Sequence, residues 1–172
     1  DASVATDNGA SIVTHFLNAM NKENTAGSIA NFVMSDPRLM VELIVDGHHQ
    51  TFEKVRELFD AIGPRIIMVS DAMAAAGNGD GKYTIGALPV EVSNGVARLA
   101  SNQKLAGSTL TISQAFVNLI NHCGISLPQA VHATSVQPAK AFGLKDRGSI
   151  AVGMRADLLS YNSATNSVTV IS

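Results

Sequence analysis

The chain has 172 residues and a mass of 17.9 kDa, with a net charge of −2 from 12 Lys+Arg and 14 Asp+Glu. That balance implies no basic face and argues against nucleic acid as a partner; hydrophobic residues at 46% exclude disorder. Cys123 is the single cysteine, which excludes a disulfide scaffold, and no apolar run approaches the roughly 18 residues of a membrane span.

Asp1-Ala2-Ser3-Val4 carries neither an initiator Met nor a signal-peptide pattern, so the chain reads as beginning inside a longer protein. Three apolar runs follow: Ala10 to Val13, Leu39 to Val45 and Ile66 to Val69. They are short, rich in β-branched residues and nearly continuous, as strands buried on both faces are. The spacing between them leaves room for a crossover helix each time. The first crossover lies around Gly27 to Met34. The second is the clearer helix, with Phe52, Val55, Leu58, Phe59 and Ile62 on one stripe, Thr51 as N-cap and Gly63-Pro64 as stop. Strand, helix, strand with short loops predicts parallel βα units.

A different texture begins at Tyr83-Thr84-Ile85. Val90-Glu91-Val92 precedes Ser93-Asn94-Gly95-Val96, and Asn-Gly is a strong hairpin signal because both central residues take positive φ. That turn sets Glu91 opposite Arg98 and Val90 opposite Leu99, which defines a β-hairpin insertion over about 82–100. Ile112, Ala115, Phe116, Leu119 and Ile120 predict a helix ending before Gly124. Ser126 caps another through about Thr134, and a short helix through Pro138 to Phe142 stops at Gly143. The tail from Ser149 to Ile171 reads as β, with turns at Gly153 and near Asn162 to Asn166.

Each buried strand runs into polar residues at its C-terminal end. The first gives Thr14-His15-Phe16-Leu17-Asn18-Ala19-Met20, the second Asp46-Gly47-His48-His49, and the third Ser70-Asp71-Ala72. In a parallel barrel these ends share the rim that holds the active site, and histidines with an aspartate there point to metal-assisted or acid–base chemistry. His48 and His49 face opposite sides if strand geometry continues, so one of the two faces the site. Asp46 is read as a turn or cap residue, and His122 and His132 as structural residues of helices. Gly77-Asn78-Gly79-Asp80-Gly81 lacks the Lys-Ser/Thr ending of a phosphate loop and reads as a loop or tight turn. Leu105-Ala106-Gly107-Ser108 precedes a helix, so its backbone amides can meet a polar ligand.

Taken in order, Thr14-His15-Phe16-Leu17-Asn18-Ala19-Met20, Asp46-Gly47-His48-His49, Val69-Ser70-Asp71-Ala72 and Leu105-Ala106-Gly107-Ser108 resemble the N-acetylglucosamine-6-phosphate deacetylases of the amidohydrolase superfamily. Gly148 to Leu158 is similar to that superfamily's return from barrel to small β-sandwich. The resemblance implies an α/β fold: a partial TIM-type (β/α) barrel over 1–147 with the hairpin insertion, and a piece of the sandwich over 148–172. It implies a divalent metal (zinc first, with iron, cobalt or manganese as alternatives) for which His15 is a ligand. Asn18 and Ala19 would contact the sugar phosphate. His49 would touch the substrate and polarise its acetamide carbonyl, Asp71 would act as general base and then general acid, and the backbone at Leu105, Ala106 and Gly107 would close over the substrate. A small-molecule sugar phosphate is the implied partner, a homodimer the implied assembly and the cytoplasm the implied compartment.

The sequence departs from the family in three places. The family's other metal ligands, a Glu and an earlier His, lie upstream of the Thr-His motif, and no Glu or His precedes His15 here. The helix before the Ile12 strand is shortened. The basic residue that follows Asn-Ala in the family has only Lys22 as a nearby counterpart. A whole barrel takes roughly 250 residues, so the chain corresponds to a C-terminal half. Two other readings stand beside this one: an amidohydrolase acting on a cyclic amide or another N-acetyl sugar, and a catalytically inactive half-barrel.

Overall fold

The structure is a computed structural model that describes residues 1–20 and 27–171; Lys22 lies outside the described residues. The three apolar runs form one parallel sheet in the order β1 (Ile12–Val13), β2 (Met40–Leu43), β3 (Ile66–Met68), with Val13 beside Val41 and Leu43 beside Met68. Two crossover helices link them, α2 (Ile29–Ser35) and α3 (Phe52–Ile62). A short helix, α1 (Ala2–Asp7), precedes β1.

Burial explains this order. Val41 and Leu43 on β2 and all of β3 are buried, and Val41, Leu43, Ile66 and Met68 share one core with Val55, Leu58, Phe59 and Ile62 on one face of α3. Each such side chain contributes about 1.5–3 kcal/mol by leaving water. Thr51 caps α3 as expected, its side chain accepting from the Lys54 N–H. Met40 and Glu42 alternate onto the opposite, half-buried face of β2.

Arg65, just before β3, holds the crossover together. Its Nη1 donates to the carbonyls of Val33, Asp36 and Leu39 at 3.0, 2.6 and 2.9 Å, and its Nη2 to that of Met34 at 2.9 Å. Val33 and Met34 belong to the last turn of α2, whose carbonyls lack helical partners, and Asp36 and Leu39 bound the loop that follows it. Nearby, the side-chain hydrogen bond from Arg38 holds the Asp36 carboxyl down at about 2.

The hairpin register follows the Asn-Gly turn. Strands β4 (Gly81–Ile85), β5 (Leu88–Ser93) and β6 (Val96–Leu99) form an antiparallel sheet in that order, with Glu91 opposite Arg98 and Val90 opposite Leu99. Asn94 and Gly95 both have positive φ, at 50° and 74°. The glycine-rich stretch before β4 is a turn whose Asp80 carboxylate accepts from the N–H groups of Asn94 and Gly95 at 2.6 and 2.9 Å. Val90, Val92 and Ala97 bury a small core of their own with Ala75 and Ala106.

Beyond this sheet, α4 (Ile112–Asn121) is capped by Thr111 and buries Ala115, Phe116 and Leu119. The next stretch differs from the expected pair of separate helices. α5 (Leu127–Val131) and α6 (Gln137–Ala141) run together through a wide π turn, His132–Val136, where the Gln137 N–H reaches back to the His132 carbonyl. Pro138 has no N–H to continue the normal ladder, and widening the turn accommodates it without ending the helix. The tail, expected as β with turns at Gly153 and near Asn162 to Asn166, keeps the second turn but differs before it. Only β7 (Leu159–Asn162) and β8 (Ser167–Val170) pair. Residues 149–158 follow turns, with the Met154 N–H bonded to Ala151 and the Arg155 N–H to Asp146. Tyr161 of β7 meets Phe116 of α4 edge-on at 5.1 Å, which seats this hairpin against the main core.

Arg65→Ala leaves carbonyls at the end of α2 without their donor. It is expected to lower the unfolding free energy of the full-length protein by roughly 2–4 kcal/mol in urea titrations. Arg65→Lys recovers part of that loss at most, because one ammonium cannot reproduce the fork.

Candidate functional site

Parallel pairing places the C-terminal ends of β1, β2 and β3 along one edge of the sheet. The chain continues pairing just past each strand, with the Phe16 N–H on the Glu42 carbonyl at 2.8 Å and the Val69 N–H on Leu43 at 3.0 Å. The polar residues that follow are therefore held by backbone, and His15, Asp46 with His49, and Asp71 occupy successive positions along the edge.

The turn after β1 is conformationally unusual. His15, Leu17 and Ala19 all have positive φ, at 31°, 66° and 54°. Each L residue in that region costs roughly 1–2 kcal/mol. The turn is held by the Asn18 N–H on the His15 carbonyl at 2.9 Å, by the burial of Phe16, and by the Thr14 hydroxyl donating to Glu42 Oε2 at 2.8 Å. Among the described residues, His15 Nδ1 is buried without a hydrogen-bond partner. Asn18 is half-buried and Ala19 exposed on the same turn.

After β2, the Asp46 carboxylate organises a tight turn. Its Oδ1 accepts from the N–H groups of His48 and His49 at 2.8 and 2.9 Å, and its Oδ2 lies 2.7 Å from His49 Nδ1. Burial pushes the Asp46 carboxyl up, but the hydrogen bonds from the His49 ring and the two backbone N–H groups outweigh it and leave it below the usual carboxylate range. The His49 side chain is 2% exposed and its Nε2 is buried without a hydrogen-bond partner among the described residues, whereas His48 is exposed. One of the two histidines faces inward, as expected, although a turn and not a continued strand separates them. The turn reading of Asp46 holds as well, but it missed the ring contact. The spacing of Asp46 and His49 was the available signal.

After β3, Asp71 is exposed and has φ of 47°. Its carbonyl accepts from the Ser108 N–H at 2.7 Å, the Ser108 carbonyl accepts from the Met73 N–H at 2.9 Å, and the Ser108 hydroxyl donates to the Ser70 carbonyl. This pairing, a parallel bridge between Ala72 and Ser108, brings Leu105, Ala106 and Gly107 beside Asp71. A Cβ at Gly107 would sit 3.1 Å from the Asp71 carbonyl oxygen and 3.2 Å from Met73 Cβ, and its φ is 63°. Leu105 bridges to Arg98, and the Ala106 N–H donates to the Ala97 carbonyl at 3.1 Å, so the β4–β6 sheet backs this loop. Sequence reasoning did not find this role for Ser108.

The remaining polar candidates lie apart from this edge. His122 stacks on Phe52 at 4.8 Å, and His132 lies at the junction of α5 and the π turn. Burial pushes the Cys123 thiol up to about 11, which keeps it protonated.

The donor chemistry at His15 fits a metal ligand, since a buried imidazole nitrogen with no hydrogen bond is suited to that role. A catalytic zinc takes about three protein ligands. Among the described residues, no group of three or more His, Cys, Asp or Glu side chains is placed to hold an ion. The described residues therefore do not make up a complete set of ligands for such a site.

An amidohydrolase family model matches residues 2–171. An N-acetylgalactosamine-6-phosphate deacetylase of Escherichia coli is 34% identical over 161 residues, which cover 92% of this chain and 42% of that protein. An N-acetylglucosamine-6-phosphate deacetylase of Vibrio furnissii is 31% identical over 157 residues, 90% of this chain and 39% of that protein. The solved structure of a variant N-acetyl-D-glucosamine-6-phosphate deacetylase from Mycobacterium smegmatis, in complex with N-acetyl-D-glucosamine-6-phosphate, superposes with a TM-score of 0.91 at 38% identity. It covers 99% of this chain and 46% of that one. This chain thus spans less than half the length of each of these three proteins. With the family model matching almost every residue and a partial α/β barrel as the fold, the chain belongs to the amidohydrolase family.

Proposed function

We propose that this chain is the C-terminal part of a deacetylase that hydrolyses the acetamide of N-acetylglucosamine 6-phosphate to glucosamine 6-phosphate and acetate. The observation that carries this reading is the pair of buried, unpartnered ring nitrogens, His15 Nδ1 and His49 Nε2, at the ends of neighbouring parallel strands. Structural histidines use their buried nitrogens in hydrogen bonds; these two are left available for a metal and for substrate. In this reading, residues 1–147 are barrel with a hairpin insertion over about 82–100, and residues 148–172 belong to a small β-sandwich. The intact enzyme is a cytoplasmic homodimer.

The roles follow from the placement of each group. Asp71 takes a proton from the attacking water and returns it to the departing amine, so one carboxylate serves both halves of the reaction. Its exposure suits a group that must hold and release a proton, and Ser108 fixes its backbone. His49 directs Nε2 at the acetamide oxygen, where an N–H stabilises the charge that develops on attack. Asn18 and Ala19 meet the sugar phosphate, and the backbone of Leu105, Ala106 and Gly107 lies against the sugar beside Asp71. His15 contributes one ligand to a divalent metal, zinc first, which when bound supplies Lewis-acid polarisation and a more acidic water. The remaining ligands come from outside this chain.

One observation favours a second substrate reading. The Escherichia coli relative at 34% identity is named for the galactosamine epimer. N-acetylgalactosamine 6-phosphate is therefore the competing substrate.

The test is product analysis on the full-length protein with both 6-phosphates and unphosphorylated N-acetylglucosamine. A higher kcat/KM for N-acetylglucosamine 6-phosphate is expected, and turnover of the unphosphorylated sugar alone would sink the reading. Asp71→Asn is expected to lower kcat by about 10³-fold or more while substrate still binds; a rate near wild type removes Asp71 from the mechanism. Gly107→Ala is expected to lower kcat roughly tenfold, because its Cβ crowds the Asp71 carbonyl and the φ of 63° strains an L residue, and together these shift the Asp71 backbone.

A further inference from the structure

Asp46 has more hydrogen bonding than a turn residue needs. An Asx turn uses one side-chain oxygen, and Oδ1 alone accepts both backbone N–H groups of that turn. An asparagine would do this equally well. The second oxygen, Oδ2, is left for the ring of His49 at 2.7 Å. A carboxylate can only accept, so the ring nitrogen facing it, Nδ1, carries a proton. The same ring is almost wholly buried, and its other nitrogen has no hydrogen-bond partner among the described residues.

Two contacts hold the backbone on either side of Asp46. The Val45 carbonyl just before it accepts from Asn118 Nδ2 of α4 at 2.7 Å, a buried contact. Gly47 just after it has φ of 78°, and a Cβ there would sit 2.9 Å from Phe52 Cζ at the start of α3. Phe52 in turn stacks on His122. The backbone that carries the carboxylate is thus held against α3 and α4.

We propose that Asp46 is a positioning residue for His49: it holds the proton on Nδ1 and so fixes the ring with Nε2 directed at the substrate. The N–H at Nε2 that meets the acetamide oxygen is then the ring's second proton, and Asp46 is the counter-charge that supports it and makes it a stronger, charge-assisted donor. This rests on the reading of His49 as a substrate contact. It adds a residue that never touches the substrate and a reason for a carboxylate, not an amide, at position 46.

Asp46→Asn isolates the claim. The amide oxygen can still accept the two backbone N–H groups, but its NH2 then faces Nδ1 and drives the proton to Nε2. In the full-length protein, the variant is expected to melt within about 2 °C of wild type. Its kcat is expected to fall roughly 100-fold, with KM changed less than about threefold. Nitrogen-15 NMR of labelled histidine is expected to show His49 protonated on both Nδ1 and Nε2 in the wild type and on Nε2 alone, without the carboxylate's counter-charge, in the variant. In a His49→Asn background, Asp46→Asn is expected to cost nothing further. A variant with kcat within threefold of wild type, or an additional loss in the His49→Asn background, overturns the proposal. If Asp46→Asn does not fold, the wild-type spectrum decides alone, since an unprotonated Nδ1 is incompatible with the claim. If the wild type turns over neither 6-phosphate, the deacetylase reading fails, while the NMR tautomer still decides the role of Asp46.

Discussion

Ser108 ties the two parts of the candidate site together. Its N–H and carbonyl pair with Asp71 and Met73, its hydroxyl donates to the Ser70 carbonyl, and the same oxygen accepts from the Leu110 N–H at 3.0 Å. On one side of this knot lies the parallel sheet β1–β2–β3, and on the other the antiparallel sheet β4–β5–β6. Because Ser108 is buried, these bonds form away from competing water. They fix the Asp71 backbone relative to Leu105, Ala106 and Gly107, whatever the exposed Asp71 side chain does.

Conformational strain is concentrated where this scaffold is most constrained. His15, Leu17, Ala19 and Asp71 are non-glycine residues at positive φ, and all lie within a few residues past the ends of β1 and β3. Strain of this kind persists only where the surroundings over-determine it. Around His15 the restraints are Phe16, buried in the main core, and the Thr14 hydrogen bond to Glu42. Around Asp71 they are the Ser108 bonds. Replacing these residues with glycine would relieve strain but loosen the groups that the chemistry needs.

Much of the fold was legible because local and long-range signals agreed. The β-branched runs became β1, β2 and β3, the apolar stripe from Phe52 to Ile62 became α3, and the Asn94-Gly95 turn set the register of Glu91 against Arg98. In each case one physical preference, whether burial, helical period or positive φ, decided the outcome. The π turn at His132–Val136 was not legible, since Pro138 signals a break equally in a helix that ends and in one that widens. The stretch 149–158 was misjudged as β because apolar residues such as Ile150 and Val152 suggest strands, whereas both are exposed here and make no ladder.

At the candidate site, the motifs located the side chains but not their partners. His15, His49 and Asp71 were visible as polar residues following buried strands, a pattern that needs only sequence. What each one bonds to is a matter of three-dimensional closure. Ser108 reaches Ser70 across 38 residues, and Asn118 reaches Val45 across 73. Asp46 and His49 are the instructive exception, since their contact spans three residues. A carboxylate there satisfies two backbone donors through one oxygen, and that sufficiency hid the other. Counting both oxygens of a buried carboxylate separates a turn residue from one that also orients an imidazole, because a turn leaves the second oxygen without work and burial does not tolerate that.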